Sequence, residues 1–279
     1  MISVLQLGTI DYASGLRLQQ RLVELRKEGR VGDVLLLLEH TPVITLGRNA
    51  RVANIVASSE ELAERGVEVF DCDRGGDVTF HGPGHLVGYP IFDLRGMPSS
   101  GVQSKTLGAV EFVRRLEEVL IRTCADFGIP TKRMLGLTGV WTDPHHVGPD
   151  ALVRAVERGS TVEQSSDEAK IAAIGVHISR AVTSHGFALN VYNDLDYFNL
   201  IIPCGISSKP VTSMAKELGR QIPLQDAAHA ISRNFGVVFQ SQMLWLESVD
   251  SLLNTAVGVP MRPPAELRQL HGEEDTFRG

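Results

Sequence analysis

Residues 74–90 crowd five glycines and two prolines into seventeen residues, and no other stretch constrains the fold of this chain as strongly. Glycine loses more conformational entropy on folding than any other residue and has no side chain to pack. A domain therefore rarely places it among polar residues unless the backbone must pass close to something. The apolar run 86–94 predicts a strand, which puts the polar side chains before it at the lip of a sheet, where ligands commonly bind. These side chains are Arg74, Asp77, His81 and His85.

Hydrophobic spacing along the chain predicts strands and helices in no regular alternation. Predicted helices cover 16–28, 59–66, 107–127 and 225–235; predicted strands cover 34–38, 43–47, 67–72, 86–94, 139–142, 170–179 and 186–191. Neighbouring strands with hairpin-like spacing favour an α+β domain, with a mixed β-sheet flanked by helices. The pattern does not determine the order of the strands.

The chain is predicted to hold one catalytic domain over residues 1–240. Residues 144–168 change to a polar, Pro- and Gly-containing composition and are expected to form a surface insertion, with a short helix near 151–158. Residues 241–279 are expected to be a partly flexible C-terminal extension, frayed after Pro260.

Composition excludes several classes of protein. A formal net charge of −6 argues against nucleic-acid binding. No apolar run is long enough to cross a membrane. The three cysteines are scattered, so we expect no disulfide framework and a reducing, cytoplasmic location. Neither a phosphate-binding loop, a dinucleotide motif nor metal-ligand spacing is present, so no cofactor and no metal are predicted.

Cys204 is a candidate nucleophile because Pro203 and Gly205 predict a turn that presents its thiol. With a pKa near ~8.5, a free thiol is mostly protonated at neutral pH and needs a basic or cationic neighbour. Lys170, at the mouth of the buried strand 170–179, is one candidate. Sequence reasoning alone does not choose between this lysine and a histidine. The rival histidines are His81, His85, His177 and His185.

Four motifs in order resemble those of the lipoyl(octanoyl) transferases of lipoate biosynthesis. They are the glycine-rich stretch 74–90, the segment 170–176 (KIAAIGV), the segment 183–191 (TSHGFALNV) and Pro-Cys-Gly-Ile at 203–206, followed by Val-Thr-Ser at 211–213. The early segment 43–48 (VITLGR) also fits this family. The resemblance extends over about residues 1–240.

The resemblance implies the fold of biotin and lipoate protein ligases. It also implies transfer of an octanoyl group from acyl carrier protein to a lysine on the lipoyl domains of 2-oxoacid dehydrogenases and on the glycine cleavage H protein. Cys204 matches the acyl-thioester nucleophile, and Lys170 matches the lysine that activates it. The positions that match the substrate-binding segments are Arg74, Gly75, Gly76, Asp77, Val78, Thr79, Phe80, His81, Ala173, Ile174, Gly175, Gly186, Phe187 and Ala188.

The chemistry of a thioester donor fits these assignments, because the acyl group is already activated and no ATP is required. Backbone N–H groups of Gly75, Gly76 or Gly175 are expected to stabilise the oxyanion. Gly75, Gly76, Gly82 and Gly84 are expected to let the substrate approach closely. The chain departs from the family at His85, where glutamine is common and where histidine adds a titratable group, and Asp77 occupies a variable position.

Three other functions fit part of this pattern. An ATP-dependent lipoate or octanoate ligase of the same fold would use the lysine and the glycine-rich strand without a nucleophilic cysteine. A non-catalytic acyl- or carrier-binding module would keep the pocket with an inert Cys204. A thiol hydrolase would release free octanoate.

Overall fold

The computed structural model describes residues 1–97, 106–143, 168–203 and 209–255, with the side chains of 253–255 left out. Several predictions concern residues outside these ranges: nearly all of the insertion 144–168, its helix near 151–158, and the tail after Pro260. Cys204 also lies outside the described residues.

Strands and helices are named here in chain order. The strands are β1 Ile2–Ile10, β2 Asp33–His40, β3 Val43–Leu46, β4 Glu68–Asp71, β5 Val78–His81, β6 His85–Ile91, β7 Thr131–Met134, β8 Leu137–Thr142, β9 Lys170–Ser179, β10 Val182–Asn190 and β11 Met243–Leu246. The α-helices are α1 Tyr12–Lys27, α2 Ser59–Glu64, α3 Ala109–Asp126, α4 Met214–Leu218, α5 Leu224–Phe239 and α6 Val249–Thr255. Two 3₁₀ helices cover Val52–Asn54 and Leu195–Leu200.

The strands form two sheets. The main sheet has the order β11-β1-β2-β6-β10-β9-β8-β7, and the small sheet has the order β4-β3-β5. In the main sheet β1 runs parallel to β2 and β11. Every other neighbouring pair, in the order β2-β6-β10-β9-β8-β7, is antiparallel. The predicted α+β class with a mixed sheet flanked by helices is therefore confirmed.

Apolar cores cover both faces of the main sheet. One core packs against α3 and α5 and includes Phe92, Phe112 and Phe235. The other packs against α1 and includes Leu22 and Leu25. Strand β2 supplies both cores with alternate side chains, which explains why residues 34–38 form an unbroken apolar run instead of an alternating one.

Local signals account for several helix ends. Asp11 caps α1 by accepting a hydrogen bond from the Ser14 N–H at 2.8 Å, so this helix begins before the predicted residue 16. Ser58 caps α2 through the Glu61 N–H at 3.2 Å, as the capping-box pattern predicts. Cys124 is fully buried in the first core, as its place on the apolar stripe of α3 predicts.

The segment after residue 240 contributes to the main sheet. Strand β11 pairs with β1 in parallel, with Ile2 opposite Met243, and Val249 and Leu252 of α6 are buried in the second core. A boundary at residue 240 would therefore separate β11 from the rest of the main sheet. No helix within the described residues is both long and apolar enough to cross a membrane.

Candidate active site

A narrow cavity, here called the inner pocket, lies between the small sheet and strands β6, β9 and β10. Its volume is about 50 Å³. Every residue predicted to bind substrate lines it, with the single exception of Phe80. The predicted lining residues are Arg74, Gly75, Gly76, Asp77, Val78, Thr79, His81, Ala173, Ile174, Gly175, Gly186, Phe187 and Ala188, and the pocket adds Tyr12, Val87, Tyr89 and His185.

Phe80 faces away from the inner pocket. Successive side chains of a strand point to opposite faces, so Thr79 and His81 of β5 line the pocket while Phe80 points into the core of the small sheet. Its ring stacks on Tyr197 with centroids 4.6 Å apart. Phe80 therefore lies outside the lining of the inner pocket, and its assignment as a substrate contact stays a prediction.

Arg74 is buried and fastens the glycine-rich stretch to strand β3. Its Nε donates to Thr45 Oγ1 at 3.1 Å, one terminal nitrogen donates to the Thr45 carbonyl at 2.6 Å, and the other donates to the Gly75 carbonyl at 3.0 Å. The guanidinium thus brings positive charge to the pocket while most of its donors hold the loop in place.

The glycines of the site let backbone segments approach each other. A Cβ on Gly175 would lie 2.6 Å from the Gly75 carbonyl oxygen, and a Cβ on Gly82 would lie 2.7 Å from the Phe80 ring. At Gly84 the added atom would meet the Asn193 backbone nitrogen at 2.7 Å. These close neighbours belong to the protein, so the glycines allow close packing of the fold, and the approach of substrate to Gly82 and Gly84 stays a prediction.

Only part of the predicted set of oxyanion donors stays available. The Gly75 N–H donates to the Val176 carbonyl at 3.0 Å, which commits it to joining the glycine-rich stretch to β9. Gly76 adopts a φ of +89°, in the region that favours glycine, and its N–H has no backbone carbonyl partner within the described parts of the chain. Gly76 is therefore the better candidate.

Tyrosine and histidine side chains line part of the inner pocket, and His40 contacts one of them, Tyr89, without lining the pocket itself. His40 donates from Nδ1 to the Ile10 carbonyl at 3.0 Å, so its Nε2 accepts the Tyr89 hydroxyl at 2.7 Å. Burial lowers the pKa of His40 to about 4. Burial, reinforced by His85, also holds the pKa of His81 well below its usual range. These rings are therefore neutral at physiological pH.

The residue that departs from the family pattern, His85, is neutral as well. Burial lowers its pKa to about 4, and its ring lies 5.3 Å from that of His81. Its side chain therefore adds no charge near the inner pocket at neutral pH.

His185 closes the pocket beside Tyr89. Its Nε2 donates to Asp73 Oδ1 at 2.7 Å, and its backbone adopts a φ of +54°, which is unusual for a residue with a side chain. Burial lowers the pKa of His185 despite this contact with Asp73. For Asp73, burial is the largest influence and opposes ionisation, but the hydrogen bond from His185 and the electrostatic interactions with His185 and His177 together outweigh it and lower the pKa of the carboxyl.

Lys170 lines a second, larger cavity, here called the outer cavity, with a volume of about 520 Å³. The outer cavity shares Gly76, Asp77 and Ile174 with the inner pocket, so the two spaces adjoin. The Lys170 side chain is buried, and its ammonium lies 4.8 Å from the centroid of the Trp141 ring.

The chain on either side of residues 204–208 is attached to walls of the outer cavity. The Ile202 N–H donates to the Asn54 carbonyl at 2.7 Å, and the Lys170 N–H donates to the Pro210 carbonyl at 2.9 Å. Asn54 and Lys170 both line the outer cavity. The two described cysteines offer no alternative nucleophile. The Cys72 thiol donates to the Leu46 carbonyl, and burial raises the pKa of the Cys124 thiol to about 12.

Sequence reasoning missed several residues of this region. Tyr12 and Trp141 had no motif to mark them, because each reaches the site from an element distant in sequence. Tyr89 stands inside the glycine-rich stretch, and Thr45 inside the early segment 43–48, so both had a signal without an assigned role. Asn54 contacts Asp77 through its side chain and had no signal at all.

Comparison with known proteins places the chain in a family. The model of the lipoyl protein ligase A/B catalytic domain matches residues 11–236. The chain belongs to this family. An octanoyltransferase from Koribacter versatilis is 58% identical over 100% of both chains, and one from Acidobacterium capsulatum is 55% identical over 91% of this chain and 96% of its own. The predicted family and the acyltransferase class are thereby confirmed.

The fold agrees with this membership. A bipartite lipoate protein ligase from Thermoplasma acidophilum superposes with a TM-score of 0.63 at 14% identity, covering 94% of this chain and 98% of that one. At this identity the likeness supports the fold alone, and it confirms the predicted lipoate-ligase architecture.

Proposed function

We propose that this protein transfers an octanoyl group from acyl carrier protein to a lysine of lipoyl domains, through a thioester on Cys204. The observation that carries the proposal is the narrow inner pocket adjoining the cavity that holds Lys170. A pocket suited to an acyl chain thus opens beside a buried amine, and the ends of the segment that contains Cys204 are attached beside it.

In the first half-reaction the thiolate of Cys204 attacks the thioester carbonyl of the donor. The new carbon–sulfur bond to Cys204 forms, and the bond to the carrier thiol breaks. The proton of the Cys204 thiol passes to Lys170, which delivers it to the departing carrier thiolate. The Gly76 N–H is our candidate donor to the oxyanion formed on the way.

In the second half-reaction the acceptor lysine attacks the Cys204 thioester. Its amine is mostly protonated at neutral pH, with a pKa near ~10.4, so a base must first take a proton. Lys170 takes one proton from this ammonium and releases it to solvent. The attacking nitrogen loses its second proton as the amide forms, and Lys170 passes that proton to the departing Cys204 sulfur. The products are octanoyl-lysine and the free carrier thiol, and no ATP is consumed.

The inner pocket suits a hydrocarbon chain along the walls contributed by the main sheet. Val87, Ile174 and Ala188 line it with apolar side chains. Each buried methylene of an acyl chain contributes roughly 0.8 kcal/mol to binding. We therefore assign the octanoyl chain to the inner pocket and the reacting carbonyl to the outer cavity.

Donor, acceptors and compartment belong to the proposal as well. The acceptors are the lipoyl domains of 2-oxoacid dehydrogenases and the glycine cleavage H protein, and the compartment is the reducing cytoplasm, where a catalytic thiol stays reduced. An ATP-dependent ligase is the main competitor, since solved relatives of this fold are ligases. The curated relatives of high identity are octanoyltransferases, which favours the transferase.

The test is an intact-mass measurement after mixing the protein with octanoyl-acyl carrier protein, with and without ATP. We expect one added octanoyl group without ATP, located on Cys204 by peptide mapping and absent from Cys204→Ala. Adding a lipoyl domain should discharge the group and produce octanoyl-lysine. Acylation on another residue, a requirement for ATP, or release of free octanoate as the main product would contradict the proposal.

A further inference from the structure

Residues 47–57, here called the linking segment, connect the glycine-rich stretch to the chain that leads to Cys204. On one side, the Arg48 N–H donates to the Arg74 carbonyl at 3.0 Å and the Asn49 N–H donates to the Gly76 carbonyl at 3.1 Å. The wall of the inner pocket therefore holds the beginning of this segment.

On its other side the linking segment holds residues 200–202. The Val56 N–H donates to the Leu200 carbonyl at 2.9 Å, and the Asn54 carbonyl accepts the Ile202 N–H at 2.7 Å. Ile202 is two residues before Cys204 in the sequence. The position of Asn54 therefore sets where the chain stands shortly before it reaches the cysteine.

The Asp77 carboxylate fixes Asn54. Its Oδ2 accepts the Asn54 side-chain amide at 2.5 Å, and its Oδ1 accepts the Arg51 N–H at 3.2 Å and the Val78 N–H at 2.8 Å. Both carboxylate oxygens thus have protein partners. No lysine or arginine in the described ranges forms an ion pair with this carboxylate.

We propose that Asp77 is a positioning residue for the nucleophile rather than a substrate contact. It holds Asn54, the Asn54 carbonyl holds Ile202, and Ile202 stands two positions before Cys204 in the sequence. Asp77 also lines both cavities, so the chain of contacts starts at their common wall. The inference rests on the proposed function, in which Cys204 is the nucleophile.

Exchanging the two polar partners tests this contact. Asn54→Asp places two carboxylates face to face and removes the hydrogen bond between residues 54 and 77. The double variant Asn54→Asp with Asp77→Asn restores one donor and one acceptor, while the new amide oxygen can still accept from the two backbone N–H groups. Loss of a hydrogen bond to a charged group should slow Cys204 acylation about 10- to 100-fold. The double variant should recover most of this rate.

Two measurements separate positioning from binding and from folding. One is the single-turnover rate of acyl-enzyme formation at saturating octanoyl thioester; the other is the alkylation rate of Cys204 by iodoacetamide without substrate, followed by peptide mapping. Both rates should fall in Asn54→Asp and recover in the double variant, with KM little changed. Val52→Ala is the control, because this side chain is 75% exposed on the same segment.

An unchanged acylation rate in Asn54→Asp would overturn the positioning role. So would failure of the double variant to recover while its melting temperature matches the wild type, or an Asp77→Ala variant that raises KM alone. A wild-type protein that forms no Cys204 thioester would refute the proposed function instead, and the alkylation rates would still report on positioning.

Discussion

Lys170 is the residue whose environment says most about the reaction. It is 7% exposed, its ammonium lies against the Trp141 ring, and its backbone is bonded to Pro210 and Thr212 near the segment that holds Cys204. A lysine held in this way can exchange a proton at one place repeatedly. From the sequence it was one of several rival bases. Its placement distinguishes it, because Lys170 lines the outer cavity and none of the rival histidines does.

We expect Lys170→Met to slow acyl-enzyme formation about 10²- to 10⁴-fold, the usual contribution of a positioned acid or base. The methionine keeps an unbranched apolar side chain against Trp141, so KM should change little and the loss of the cation–π contact should cost about 0.5–2 kcal/mol of stability. Single-turnover mass spectrometry and thermal unfolding measure the two effects.

Lys132→Met is the matched control for this variant. Lys132 stands on the edge strand β7, where its ammonium pairs with Asp143 at 3.1 Å and Glu168 at 3.3 Å. It should acylate at the wild-type rate. A Lys170→Met protein with wild-type turnover would exclude the lysine as the proton carrier.

At the scale of elements, the inner pocket depends on how closely the glycine-rich stretch approaches strand β9. The Gly75 N–H bonds the Val176 carbonyl, and Gly175 faces the Gly75 carbonyl without a side chain between them. The glycine pattern predicted a close approach here. It did not reveal that the approaching partner is the protein's own backbone.

Gly175→Ala should push these two segments apart, because the new Cβ would lie 2.6 Å from the Gly75 oxygen. We expect a loss of about 1–3 kcal/mol in the free energy of unfolding, as for other overpacked sites, and a lower kcat/KM because the pocket wall moves. Urea unfolding and steady-state assays measure both. Gly32→Ala is the control, since nothing lies within 4 Å of its added atom. Equal behaviour of the two variants would contradict this account of the wall.

The whole molecule carries a cluster of buried neutral histidines, and these link its stability to pH. His40 and His85 have pKa values of about 4 in the fold, below the usual 6.5, because burial disfavours their charged form. The unfolded chain therefore binds more protons than the folded one between these two values. Stability contributed by the neutral rings is complete above pH 6.5 and is lost as the pH falls toward 4.

Lowering the pH from about 7.5 to about 5 should thus reduce the free energy of unfolding by roughly 2 kcal/mol for each of these two histidines. Urea unfolding at both pH values measures the change. His85→Gln removes one titrating ring and should flatten the dependence relative to wild type, while His229→Gln, at an exposed position of α5, should not. A wild-type stability that is constant over this interval would contradict the neutral assignment.

The sequence by itself determined the family, the acyltransferase class and most of the pocket lining, because these depend on local motifs: glycines and polar residues at fixed spacing around short strands. The tertiary structure decided which way each side chain faces and what it contacts. Phe80 turned into the small-sheet core, Asp77 bonded Asn54, and Gly75 used its N–H within the fold. Such contacts join segments tens to a hundred residues apart, and their pairing follows from strand order and register, which hydrophobic periodicity leaves open.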